Sequence, residues 1–119
     1  ELREKHPNIE WWKALRIRTT HDLLLAKSFE EYVDCLLLDA WSPKQLGGSG
    51  KRIPINLLCR SNFNRPWWLA GGICAEWVQE LLSQVKPFGI DASSRLETSP
   101  GIKDIKKVSA LIKVIKNKV

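Results

Sequence analysis

WWLAGGICAEWVQELLSQVKPFGID, residues 67–91, holds one complete strand–helix–strand unit. Trp67-Trp68-Leu69-Ala70 is a short apolar strand, and Gly71-Gly72 stops it. Residues 75–85 follow as an amphipathic helix with Val78, Leu81, Leu82 and Val85 on one face. Phe88-Gly89-Ile90-Asp91 is the next strand. Two strands joined through a helix are expected to lie parallel.

The same alternation extends in both directions. Residues 1–8 read as the end of a preceding helix, closed by Pro7-Asn8. Residues 11–17 are rich in strand formers. Thr19 and Thr20 offer N-caps for a helix to residue 32, with Leu24, Leu25, Ser28 and Tyr32 at near-helical spacing. The apolar run 33–38 ends at Asp39 and predicts a strand buried on both faces. A Gly-rich loop spans 40–52, and Pro54 fits the first turn of a short helix through Leu58. Residues 93–100 are a polar loop. Ile102, Ile105, Val108, Ile112, Ile115 and Val119 form the expected apolar stripe of a last helix. The chain thus divides into βα units at 11–32, 33–60, 66–86 and 87–119, one partial α/β domain across 1–119 with a parallel sheet. Four such units make either a small open sheet or half of an eight-fold barrel.

Length and composition bound the rest. The 119 residues allow one domain, and 44% hydrophobic with 27% charged residues describe a globular chain rather than a disordered one. No apolar run approaches the roughly 18–20 residues of a membrane span, and no basic segment followed by an apolar stretch opens the chain. Met is absent and Glu1 sits inside a helix pattern, so a processed chain or a piece of a longer one is expected. Cys35, Cys59 and Cys74 have no metal-type spacing and His6 and His21 do not complete one, so no metal site is expected and the cysteines read as structural, in a reducing compartment. The net charge of +6 is local. Residues 101–119 carry six lysines against Asp104, while the first hundred residues hold 13 basic and 12 acidic side chains. A nucleic-acid binder would spread its charge over a face.

In either α/β architecture, function belongs at the carboxyl ends of the strands. Asp39 ends an apolar strand, where partial desolvation favours the protonated form and suits a general acid; capping the next loop or pairing with Lys51 is the plainer alternative. Gly47-Gly48-Ser49-Gly50-Lys51 fails the nucleotide-loop template, because Gln45 and Arg52 stand where Gly and Ser or Thr are required; a mobile cover over the site is the better reading. Gly71-Gly72 and Ser93-Ser94 follow successive strands and can offer backbone N–H groups to a phosphate. Trp11-Trp12 and Trp67-Trp68 lie in apolar strands, where burial against helices is expected over base stacking.

Four motifs, Cys35-Leu36-Leu37-Leu38-Asp39-Ala40, Gly47 to Lys51, Trp68 to Ile73, and Gly89 to Ser94 with Glu97 to Asp104, closely resemble phosphoribosylanthranilate isomerase from about residue 11 to the end. The resemblance implies strands five to eight of a (βα)8 TIM barrel, truncated at the N-terminus. It implies an Amadori rearrangement of N-(5′-phosphoribosyl)anthranilate in tryptophan biosynthesis, without a cofactor. It makes Asp39 the general acid that protonates the furanose ring oxygen, and Gly71, Gly72, Ser93 and Ser94 the phosphate-binding segments, with Asp91, Arg95 and Gly48 as further substrate contacts. The family's general-base Cys and anthranilate-binding Arg would lie upstream of Glu1. Cys35 cannot replace that base, being four residues and roughly 13 Å from Asp39 along one strand. The family commonly has Gly where this chain has Arg95, which would be strained if that position needs φ > 0.

The resemblance leaves a cytoplasmic or plastid-stromal location, a small-molecule substrate and no nucleic-acid or membrane partner as expectations. Other readings are a barrel such as indole-glycerol-phosphate synthase, for which Lys13 is the only strand lysine, and a non-enzymatic basic module for acidic or phosphorylated partners. Four strands cut from a closed barrel would leave two unpaired edges and an uncovered face, so self-association or pairing with an N-terminal half is expected.

Overall fold

The structure, a computed structural model, describes residues 2–40 and 52–118. Four strands, β1 (Trp12–Ile17), β2 (Cys35–Ala40), β3 (Trp67–Ala70) and β4 (Gly89–Asp91), form one sheet in sequence order, every neighbouring pair parallel. The helices are α1 (Leu2–Lys5), α2 (Thr20–Ser28), α3 (Ile55–Leu58), α4 (Ala75–Gln84) and α5 (Ile105–Lys118). The parallel α/β alternation is as the sequence predicts. The loop 93–100 holds more than expected: a 3₁₀ turn at Ser94–Leu96, then a small antiparallel hairpin, β5 (Glu97–Ser99) and β6 (Ile102–Lys103). Among the described residues no helix is long and apolar enough to cross a membrane.

Successive side chains of a strand point to opposite faces. The register therefore places Ile17, Leu36, Leu38 and Leu69 on one face, all at most 2% exposed. This face carries the core, completed by Leu23 and Ala26 of α2, Leu58 of α3, Trp77, Val78 and Leu81 of α4, and Leu111 of α5. Burying each large aliphatic side chain is worth about 1.5–3 kcal/mol, so the helix-facing side holds the stability.

Three expectations about burial are corrected. In α2 the buried residues are Leu23 and Ala26, whereas Leu24, Leu25 and Tyr32 are exposed. Three consecutive leucines fit two helical phases equally well, and the capping box between Thr19 and Asp22 sets which one faces the sheet. In α5 the inward stripe is Val108, Leu111, Val114 and Ile115; Ile105 is 80% exposed, Ile112 is exposed, and Ile102 lies ahead of the helix in β6. The tryptophan pairs split. Trp67 packs in the helix-side core with its ring centroid 5.9 Å from that of Phe63, but Trp12 and Trp68 face the other way, with ring centroids 5.3 Å apart. An apolar strand reads the same on both faces, so sequence alone did not separate them.

Distant segments are stitched by two carboxylates. Asp34 accepts from Trp11 N–H and from Arg3 Nη2, each at 2.8 Å, fastening α1 and the start of β1 beneath β2. Glu30, the one buried charged residue among the described ones, accepts from the backbone N–H groups of Asn64 and Arg65 and from Lys27 Nζ, while Arg65 Nε donates to its carbonyl. Burial pushes the Glu30 carboxyl up, but those N–H groups and Lys27 outweigh it and hold it below the usual glutamate value.

A depressed carboxyl stabilises the fold above its unfolded-state pKa and loses that contribution as pH falls through the folded value. Glu30→Ala is therefore expected to lower unfolding free energy by about 1.5–3 kcal/mol at neutral pH, the worth of hydrogen bonds to a charged group. Urea melts at a series of pH values check this. The gap between the two proteins closes as pH drops below 4.5.

Candidate active site

The second face of the sheet carries Trp12, Ala14 and Arg16 on β1, Cys35, Leu37 and Asp39 on β2, Trp68 and Ala70 on β3, and Gly89 and Asp91 on β4. At its carboxyl end, Arg16 pairs in register with Asp39 and Ala70 with Asp91. One rung at the strand ends thus holds a cation and two carboxylates. Asp39 lies inside β2 rather than after it, because the apolar ladder continues through Ala40. It is half-buried, and its Oδ1 accepts from the Ala40 N–H at 2.8 Å. Asp91 is exposed at the end of β4.

Gly71 closes directly on Asp39. A Cβ at Gly71 would lie 2.7 Å from Ala40 Cβ and 2.9 Å from Asp39 Oδ1. Its φ of 98° and the 67° of Gly72 are left-handed values that L side chains rarely adopt. The backbone N–H groups of Gly71 and Gly72 donate to no backbone carbonyl among the described residues. Such unspent donors beside a strand end are what an oxyanion requires.

Ser93 and Ser94 follow β4, with Ser94 opening the 3₁₀ turn. Lys103 Nζ donates to Ser93 O at 3.1 Å and pairs with Glu97 Oε2 at 2.8 Å, so the β5–β6 hairpin braces this loop. That contact, chiefly its hydrogen bond, holds the Glu97 carboxyl below its usual range. Arg95 needs no unusual backbone: among the described residues no non-glycine has positive φ, so the strain expected there is not incurred. Its side chain lines a cavity with the first turns of α4 and α5. Gly48 and the whole of 47–51, Lys51 included, lie outside the described residues.

The cysteines do not converge on this rung. Cys35 is buried at the opposite end of β2, where burial, then Glu10, pushes its thiol up; Cys59 is exposed at the end of α3, and Cys74 is buried at the N-cap of α4. Among the described residues no group of three or more His, Cys, Asp or Glu could hold a metal.

A model of the N-(5′-phosphoribosyl)anthranilate isomerase family matches residues 1–114. The chain belongs to that family. It is 51% identical over 111 residues to the isomerase of Nostoc punctiforme, covering 93% of this chain and 53% of that protein, and 51% identical over 109 residues to that of Synechococcus elongatus, covering 92% and 50%. The crystal structure of phosphoribosyl anthranilate isomerase from Thermotoga maritima superposes with a TM-score of 0.81 at 33% identity, covering 98% of this chain and 56% of that one. The chain therefore spans about half the length of the relatives it matches. A further isomerase, in complex with reduced 1-(o-carboxyphenylamino)-1-deoxyribulose 5-phosphate, superposes with a TM-score of 0.70 at 27% identity, over 98% of this chain and 53% of that one.

Sequence reasoning missed three residues of this isomerase-family face. Arg16 carries no motif, and only strand register sets it beside Asp39. Lys103 reads as one of many helix lysines until the hairpin folds it back on Ser93. Trp68 lies flat on Gly89, where a Cβ would come within 2.5 Å of the ring; a glycine opposite a tryptophan was the signal available.

Gly71→Val should displace Asp39 and the loop together, since it adds bulk at under 3 Å and forbids the backbone angle. Proton-resolved NMR of the Ala40 amide, which now donates to Asp39, should report a shifted resonance in Gly71→Val and a native one in Ser94→Ala.

Proposed function

We propose that this chain supplies strands five to eight of an eight-stranded barrel, and with them the acid and the phosphate site of a phosphoribosylanthranilate isomerase. The observation that supports it most is the close approach of Gly71 to Asp39, which brings backbone and a carboxyl together at the strand ends. An isomerase of the same family has been crystallised with reduced carboxyphenylamino-deoxyribulose phosphate bound, which supports a ligand of this class.

In this reading the N–H groups of Gly71 and Gly72 and the Ser93-Ser94 loop take the 5′-phosphate, fixing the ribose across the rung of Asp39 and Asp91. Asp39 gives its proton to the furanose ring oxygen. As the bond from that oxygen to C1 breaks, the anilino nitrogen lone pair closes a Schiff base. A base from the preceding half of the barrel then takes the C2 proton, and the enolamine relaxes to the ketone. The oxidation of C2 balances the reduction of C1, so no external redox partner enters. Asp91 suits the sugar hydroxyls. Gly48, outside the described residues, is a candidate cover of the same mouth.

Asp39→Asn keeps the shape and the Ala40 contact but has no proton to give. In a fusion of this chain to the N-terminal half of the Nostoc punctiforme isomerase, it should lower kcat by about 10²–10⁴-fold, with KM nearly unchanged. The 119-residue chain alone should show no turnover. Steady-state fluorescence of the anthranilate substrate measures both, and a near-normal kcat for Asp39→Asn would reduce Asp39 to a cap on β2.

A further inference from the structure

We propose a second anion site, outside the mouth, that takes a small diphosphate-class ligand. A cavity of about 460 Å³ lies between the first turn of α4, the 3₁₀ turn after β4 and the start of α5. Its volume falls within the ordinary range of ligand pockets, roughly 300–1,000 Å³. Arg52, Arg95, Lys106 and Lys107 line it, and Glu76 is its one carboxylate. Gly71, Gly72, Ser93 and Ser94 are not part of its wall, so it is distinct from the phosphate loops of the mouth.

Three observations show that this charge is not incidental. First, Lys106 and Lys107 occupy the first turn of α5, which has no acidic residue there. Cations at a helix N-terminus oppose the macrodipole, a cost that Asp104 offsets in part by capping α5, its Oδ1 accepting from the Lys106 N–H at 2.9 Å. Second, the described residues form no salt bridge with these cations. Among the described residues Arg52, Arg95 and Lys106 enter no ion pair, and Lys107 Nζ donates only to the Glu97 carbonyl, at 2.9 Å. Third, the wall is partly preformed. The Arg52 guanidinium lies over the Trp77 ring at 5.1 Å, and that ring is buried, so the cation is held on a fixed surface. Glu76 already feels Arg95 and Lys107, which add to its own N–H and the Cys74 side chain in holding its carboxyl low.

Four cations around one carboxylate leave an excess of about three positive charges. A diphosphate brings a matching charge on two linked groups, each able to take charge-assisted hydrogen bonds. Occupancy would reach the mouth through the chain itself, since Arg95 is the next residue after Ser94.

Inorganic pyrophosphate titrated into the 119-residue chain at fixed ionic strength, followed by calorimetry and ¹⁵N amide shifts, tests the site. The amides of Glu76, Trp77, Arg95 and Lys106 should move. Arg95→Gln or Lys106→Gln should weaken binding about tenfold, the usual worth of a charged hydrogen bond. Glu76→Gln should tighten it, a gain that misfolding could not produce. Lys113→Gln, on α5 away from the cavity, should change affinity less than about twofold. Shifts confined to Gly71, Gly72 and Ser93, an equal loss in Lys113→Gln, or no saturable binding would each overturn the proposal.

Discussion

Strand register is the constraint on which everything else rests. With a side-chain period of two, a slip of one residue would turn Leu36, Leu38 and Leu69 away from the helices and bring Asp39 into the core. The cost is prohibitive in both directions: the leucines are fully buried, and an unpaired carboxylate among them would have to be desolvated. The packing of the helix-facing side therefore fixes, with no further specification, which residues stand together on the opposite face. The chemistry of Arg16, Asp39 and Asp91 is inherited from the burial of aliphatic side chains that never touch it.

Gly71 converts that placement into a site. The face supplies Arg16 and two carboxylates, and backbone can approach Asp39 this closely only where there is no Cβ. The same residue follows the last position of β3 and bends the chain through a left-handed angle. The Ser93 loop reaches a comparable position by another route, held by a lysine and a hairpin instead of by glycine. Two unlike local solutions thus shape the chain after two neighbouring strands.

How much of this was legible depended on the range of the cause. The strands and α4 were readable because Gly, Pro and Asn punctuate them and a 3.6-residue stripe is local information. Asp39 and Gly71-Gly72 were readable as candidates for the same reason, being strand ends. The buried phase of α2 was not, since Leu23, Leu24 and Leu25 are equivalent until a cap selects one. Nor was the role of Glu30, whose partners Asn64 and Arg65 lie 34 and 35 residues away. Arg16 and the turn of Trp68 away from the helices needed the register, which exists only once strands pair.

The face turned away from the described helices has its own energetic logic. Parallel sheets are found covered on both sides, because each face of such a sheet is apolar enough to demand it. Here the described helices cover one side, while the other holds Leu37, two tryptophans and the rung of charges. Trp12 remains 42% exposed on that side even though its ring meets Trp68. A solvent-facing sheet of this kind would normally alternate toward polar residues, and this one does so only at its carboxyl end. On this face the apolar side chains sit toward the amino ends of the strands and the charges at their carboxyl ends. The same gradient along four strands thus accounts for both the apolar surface on this side and the location of Asp39, and it does so without reference to any motif.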